Sequence, residues 1–345
     1  MPVEQCELTI GSETDKITPV LARVEFSESI DELDQMTAWL EIPLGYPDRK
    51  ALFGKVKVGA EFELKFGGRT IAGDVVRMRW KYSPKGPEVW VVEGLEPLHR
   101  IRDLQISELS EQKLDKIVET FMKKGPKSVQ VKGVGATAKE LVLLDDSALG
   151  TIKKIALERN FAFYVDAKGK AQFAERNTKG KKVTLTFRDL EDADITMDLV
   201  GMPTSVEARG YDYRKDDSAN GKLKAETLPA KLSKISGGDT GPDLRPSAWG
   251  KLPIALEHRF SAIDLSELKD RSLGALQAAA ERFLTGEIVT DLTPDAIPSA
   301  ELVIDAAPWP YMGPFRVGAT THTFGPGAGS ESRISFFSDS LPKTS

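Results

Sequence analysis

Residues 133–138 match the G-x-G-x-x-A spacing of a dinucleotide-binding turn, with Gly133, Gly135 and Ala138 in the required places. Such a turn works by laying a pyrophosphate on the N-terminus of a long helix, with an acid about 20 residues on to hold the ribose. Here Asp145 and Asp146 follow at once, and the ribose position falls near Lys153 and Lys154. A turn between strands is the expectation. The three histidines, His99, His258 and His322, have no second histidine or spaced acid beside them to complete a zinc motif. Asp145 and Asp146 precede Ser147 and read as charges favoured at a helix N-terminus. The glycine-rich run 324–330 lacks the Gly-Lys-Ser/Thr ending of a phosphate loop and reads as a hairpin tip. No G-x-S-x-G elbow occurs, and 52 scattered acids single out no carboxylate pair. The sequence thus nominates no catalytic, cofactor-binding or metal-ligating residue and implies no cofactor. Its most contact-prone cluster is 309–315, where Trp309, Tyr311 and Phe315 form either an interface, as aromatics do at hot spots, or a piece of core.

The elements that must carry these residues are mostly strands. Segments 20–26 and 61–66 alternate apolar and polar residues, and glycines and prolines punctuate the first 100 residues into short strands. A first antiparallel, barrel-like domain over 1–100 is expected. An α/β insertion follows over 101–180. Ser110 caps a helix carrying Leu114, Ile117, Val118, Phe121 and Met122, a second helix runs from Ser147 to Asn160, and a hairpin pairs 161–165 with 170–174. A second barrel-like domain over 181–345 has strands at 183–187, 205–211 and 301–337. It is interrupted by a polar loop, 214–250, expected to be mobile, and by a helix, 264–285, with Asp264 and Glu267 as its capping box.

Bulk properties narrow the function. A net charge of −5, with 47 basic residues dispersed among 52 acidic ones, argues against nucleic acid as the partner, which calls for a clustered basic face. Cys6 is the only cysteine, so neither an intrachain disulfide nor a Cys-x-x-Cys metal site can form. The N-terminal run has no secretory pattern and no stretch of about 18 apolar residues occurs, so cytoplasmic synthesis without direct membrane insertion is expected.

Five stretches then carry a resemblance: 70–76 (TIAGDVV), 90–98 (WVVEGLEPL), 147–173, 206–213 (VEARGYDY) and 313–322 (GPFRVGATTH). In this order they resemble the late control protein D family of tailed phages. That family includes the hub portion of VgrG proteins and the hubs of extracellular contractile injection systems. Glu96 stands where the family's first glycine strand has aspartate, and the family's segment before the last strands is not clear around 297–308. The resemblance implies two tail-tube-like barrels in a homotrimeric baseplate hub that adapts a sixfold inner tube to a threefold spike. It therefore implies a structural protein rather than an enzyme. Partners would be a separate spike protein, inner tube or tube-initiator proteins and baseplate wedge proteins, inside an assembled tail or injection particle. The region 301–337 and the polar tail 338–345 would border the spike-receiving end, with the tail unordered until a partner binds. A tail-associated polysaccharide-active enzyme and a carbohydrate-binding adhesin are the competing functions.

Overall fold

The computed structural model describes residues 6–12, 17–43, 45–84, 86–104, 112–125, 128–132, 137–138, 147–166, 168–211, 222–224, 228–229, 232–249, 255–261, 265–325 and 329–343. Residues 133–136, Asp145, Asp146 and the proposed caps Ser110 and Asp264 lie outside them.

The first region supplies strands β1 (Cys6–Ile10), β2 (Leu21–Ser29), β3 (Gln35–Ile42), β4 (Glu61–Phe66), β5 (Arg69–Lys81) and β6 (Glu88–Leu95). Alternation sets which face each buries: Phe62, Leu64 and Phe66 point inward from β4, and Val24 and Phe26 from β2. They meet Leu8, Ile10, Leu40 and Trp90 in one core.

The insertion contains a helix at Leu114–Met122, a short strand β7 (Val129–Val131), a helix at Ala148–Arg159, and a hairpin of β8 (Phe161–Val165) and β9 (Ala171–Glu175). The Ser147 side chain accepts from the Gly150 amide at 3.1 Å, and Asn160 ends the helix in the left-handed conformation. Both ends therefore fall where the sequence places them. Ile117, Phe121, Ile152, Ile155 and Phe173 form the second core.

The last region brings β10 (Lys182–Thr186), β11 (Leu190–Met197), β12 (Ser205–Tyr211), β13 (Gly237–Thr240), β14 (Ala255–Ser261), β15 (Leu284–Asp291), β16 (Glu301–Asp305), β17 (Phe315–Gly325), β18 (Gly329–Ser338) and β19 (Ser340–Pro342). β17 and β18 pair out to Gly325 and Gly329, as a hairpin tip there requires. A single twelve-stranded sheet runs in the order β1-β4-β5-β6-β3-β2-β17-β18-β15-β11, with β16 on β17 and β10 on β16. The chain is thus a β-rich α+β protein built on a large antiparallel sheet. β2 and β17 pair antiparallel from Val24–Phe324 to Ser29–Ala319 and so join the first region to the last. A third core, with Phe283, Ile288, Phe315, Ile334 and Phe336, lies beneath the last strands.

Three expectations change. The long helix covers Leu265–Ala280 rather than 264–285, because Thr285 already pairs with Thr196 and Phe337 across β15. The polar segment 214–250 is partly regular. β13 pairs with β19, and Thr240 and Asp243 exchange hydrogen bonds as a capping box for the helix Gly241–Trp249. Residues 338–343 of the tail are not left unordered either: Ser338, Asp339 and Ser340 are fully buried. Asp339 accepts from the amides of Lys234 and Ile235 at 2.9 and 2.7 Å and from Gln277 Nε2 at 3.0 Å. Buried polar residues persist only where their hydrogen bonds are met, and here each meets the other's need.

The long helix packs its buried Leu268, Leu276 and Ala280 inward, and Gly274 lets Arg159 at the end of the helix Ala148–Arg159 approach, since a Cβ there would sit 2.8 Å from its backbone. Leu276→Ala is expected to cost about 2–5 kcal/mol, the range for a fully buried leucine. An unchanged melting temperature would contradict this packing.

Candidate functional site

Chemistry-bearing side chains concentrate at the seam between β2 and β17. Alternation along β2 carries Val24, Phe26 and then Glu28 onto the buried face, so a carboxylate stands where an apolar residue would be expected. Arg69 meets it as a fork, Nη1 donating to Oε1 at 2.8 Å and Nη2 to Oε2 at 2.6 Å. Nη1 also donates to the Pro294 carbonyl at 3.0 Å. The turn before Arg69 permits this approach: Gly67 has φ +52°, and a Cβ there would lie 2.1 Å from the Pro294 ring. His322, fully buried on β17, has Nε2 at 3.2 Å from Glu28 Oε1 and Nδ1 at 2.9 Å from Ser332 Oγ.

Ser332, His322 and Glu28 therefore stand in the order of a hydrolase triad. Their surroundings oppose that chemistry. Ser332 is fully buried, its Oγ also accepts from the Thr293 amide at 2.8 Å, and Glu28 is already clamped by Arg69. The constellation ties four strands, β2, β5, β17 and β18, and the Pro294 segment together.

Two further buried carboxyls adjoin it. Glu96 Oε1 accepts from the Asp34 amide at 3.4 Å, and Asp34 Oδ1 accepts from the Ser29 amide at 3.4 Å. Burial would raise Glu28, but hydrogen bonds from Arg69 and His322 outweigh it and hold that carboxyl below its ordinary value. Burial pushes Glu96 up to about 8 and, with the charges of Glu96 and Glu28, pushes Asp34 well above the usual range. Glu28 is thus the charged partner of Arg69, while Glu96 holds a proton at neutral pH and Asp34 is pushed the same way. Asp34, Arg69 and Glu96 are among the residues lining a cleft of about 650 Å³ between β4, β5 and the insertion hairpin.

A second network links all three regions. Arg176 contacts Asp31 Oδ1 and Oδ2 at 2.7 Å each and Glu281 Oε2 at 3.0 Å, and Asn160 donates to Glu281 Oε1 at 2.8 Å. Burial raises Glu281 to about 7, with Asp339 adding and Arg176 opposing.

The raised carboxyls give a pH prediction. Between the unfolded glutamate value of about 4.3 and their folded values, the native chain keeps protons that the unfolded chain has released. Stability should therefore fall as pH rises from about 5 towards 8. Glu28 acts with the opposite sign at lower pH, since the stability it confers is lost as pH falls through its lowered value. Unfolding midpoints measured from pH 5 to 8 should show the decline, and Glu96→Gln should flatten it. A flat wild-type profile would refute the assignment.

No family model matches the chain, and no curated protein matches it in sequence. Solved structures do match, end to end. The 43 kDa tail protein of prophage MuSo2 from Shewanella oneidensis superposes with a TM-score of 0.70 at 14% identity, covering 96% of this chain and 98% of that one. The tail protein from Neisseria meningitidis MC58 gives 0.65 at 12% identity, covering 97% and 96%. The fold is that of phage tail proteins. A component of the type VI secretion system of E. coli, described as structurally similar to the bacteriophage T4 tail proteins gp27 and gp5, gives 0.63 at 9% identity, covering 98% and 79%.

Within this tail-protein fold the three aromatics nominated from sequence separate. Trp309 is 51% exposed and Tyr311 half-buried, both on the segment between β16 and β17. Phe315 is fully buried and stacks on Phe336 at 4.6 Å, so it is core and not a contact residue. His99 Nε2 lies 2.7 Å from Asp74 Oδ2, beside Arg100, whose Nε reaches the same oxygen at 2.7 Å, and His258 lies on β14. Sequence reasoning missed the Glu28 network. The available signal was an acid continuing the apolar face of Val24 and Phe26.

Proposed function

We propose that the chain is a structural subunit of a contractile-tail baseplate, a hub that assembles as a homotrimer and adapts a sixfold inner tube to a threefold spike. The observation that carries this reading is the tail-protein fold over essentially the whole chain. The sheet adds support. Its last strand, β11, pairs only with β15 among the described residues and is largely exposed. An open edge of this length is a template for pairing with another chain. Exposed Phe187, Met197 and Val200 flank that edge and give a partner apolar area to cover. Trp309 and Tyr311 are proposed as further contacts, towards the spike. Tube and wedge proteins complete the partners; nucleic acid and membrane are not among them. The subunit belongs in an assembled particle after synthesis in the cytoplasm.

A polysaccharide-active enzyme draws its one supporting feature from the Asp34 and Glu96 carboxyls beside a cleft. Burial pushes both towards the protonated form, so this pair offers an acid without the ionised partner that glycoside hydrolysis also needs. The binding role is therefore preferred.

Electron microscopy of native particles carrying an epitope on this chain tests the proposal. Three copies at the tube end of the baseplate are expected. A dimeric or tetrameric ring, or particles without the epitope, would overturn it.

A further inference from the structure

The cleft between β4, β5 and the insertion hairpin is rich in acids: Glu63 is met by Lys65 at 3.0 Å and Asp166 by the Lys168 and Lys170 amides and Gln172, which leaves the buried Glu96 as the acid with an unmet atom. Five carboxyl groups line it, those of Asp34, Glu61, Glu63, Glu96 and Asp166, against the guanidinium groups of Arg69 and Arg100. Both guanidinium groups are committed elsewhere, Arg69 to Glu28 and the Pro294 carbonyl, and Arg100 to Asp74 at 2.7 and 2.8 Å. Glu96 is 2% exposed, and its Oε2 has no hydrogen-bond partner. A buried polar atom without a partner is costly, and native structures seldom keep one without a reason. Phe62, Ile71, Ala72, Pro97 and Val165 supply apolar wall beside these acids. Apolar wall with carboxyl groups suits a slender apolar stem ending in a cation, the form of lysine and arginine side chains. At about 650 Å³ the cleft exceeds one side chain and has room for a short stretch of backbone as well.

We propose that this cleft is a socket for a basic segment of a neighbouring protein chain, in which one lysine or arginine side chain reaches the Asp34 and Glu96 carboxyls. The protein source of the cation rests on the assembly reading above; the chemistry of the socket does not. A cation arriving here displaces the proton of Glu96. The groups facing that carboxyl are Asp34 from the β2–β3 turn and Glu28 from β2, so the protein supplies it no competing cation at hydrogen-bond distance. Binding therefore releases a proton and strengthens from pH 6 to pH 8, the sign opposite to that of folding stability.

The test uses the purified full-length chain and two probes, N-acetyl-arginine-methylamide and its uncharged citrulline analogue, titrated by calorimetry. At pH 8 the arginine probe is expected to bind about tenfold tighter than the citrulline probe, one charge-assisted contact being of that order. Glu96→Gln should abolish that preference and the proton release. Because Glu96 is protonated in the free chain, the amide is close to its isostere, and circular dichroism should be unchanged. Ala72→Trp, at an exposed cleft position, should block both probes without touching an acid. Equal binding of the two probes, or an arginine preference that survives Glu96→Gln, overturns the socket. A photo-crosslinker at position 72 in assembled particles should capture a peptide of another chain containing lysine or arginine. Capture of a peptide without either, or no capture while the purified chain retains its arginine preference, overturns the protein source and leaves a site for free cations. Loss of the assembly reading alone would show as particles lacking this chain while the calorimetry stands.

Discussion

Arg69→Met should destabilise the fold by about 3–5 kcal/mol, the range for removing one partner of a buried ion pair. Glu28 is 1% exposed and accepts both terminal nitrogens of Arg69, so its carboxylate would be stranded among Phe66, Phe26 and the strands of the seam. Without Arg69 the burial that opposes ionisation of Glu28 would no longer be outweighed, so its carboxyl should take up a proton more readily as pH falls. The loss should therefore be smaller at pH 5 than at pH 8. A double change, Glu28→Gln with Arg69→Met, removes the uncompensated charge and should recover part of the deficit, since replacing both partners is milder than removing one. Lys65→Ala is the contrast: its contacts to Glu7 and Glu63 are exposed, and its loss should leave the midpoint nearly unchanged. Urea titration followed by tryptophan fluorescence reads all three. A deficit under about 1 kcal/mol for Arg69→Met would show that the seam does not depend on the pair.

The sequence disclosed elements whose signals are local. The helix after Ser147 announces both ends, one through a hydroxyl that caps and the other through an asparagine that tolerates the left-handed region, and the hairpin beyond it is marked by the turn that Asp166 opens. The join of β2 to β17 was not legible, because Val24 and Phe324 are 300 residues apart and neither carries a mark of its partner. Polar segments misled for a related reason. Low hydrophobicity argues for disorder only when polar groups have no partners within the chain, and the partners of Asp339 lie about 100 residues upstream. Glu96 was visible as a departure from the resembling family's aspartate, but its burial and its tie to Asp34 needed three dimensions. Of the aromatics, Phe315 proved to be core while Trp309 stayed exposed, a choice set by the third core and not by residue type.

The same reasoning makes the polar C-terminal segment a determinant of folding. Asp339 Oδ1 takes the Ile235 amide, and Oδ2 takes both the Lys234 amide and Gln277 Nε2. Around it Ser236 Oγ lies 2.8 Å from Ser338 Oγ, and the Ser236 amide donates to Ser340 Oγ at 2.9 Å. Asp339→Ala would leave two backbone donors and a side-chain amide facing no acceptor in a fully buried place. At about 1–3 kcal/mol for each stranded group, the cost should be at least about 3 kcal/mol. Asp339→Asn should fall between, because its single carbonyl oxygen can satisfy only part of the set while its NH2 opposes the rest. Removing residues 338–345 takes away this acceptor and β19 with it, so β13 loses its only strand partner among the described residues. That truncation should unfold well below the wild-type midpoint, whereas removing 343–345 alone, which spares β19, should stay within about 0.5 kcal/mol. Wild-type melting of the longer truncation would mean that the carboxylate contributes nothing to holding the 234–240 segment against the sheet. A lower midpoint is the expected outcome, because the three donors that face Asp339 come from two elements, the 234–235 segment and the long helix, which its carboxylate ties together.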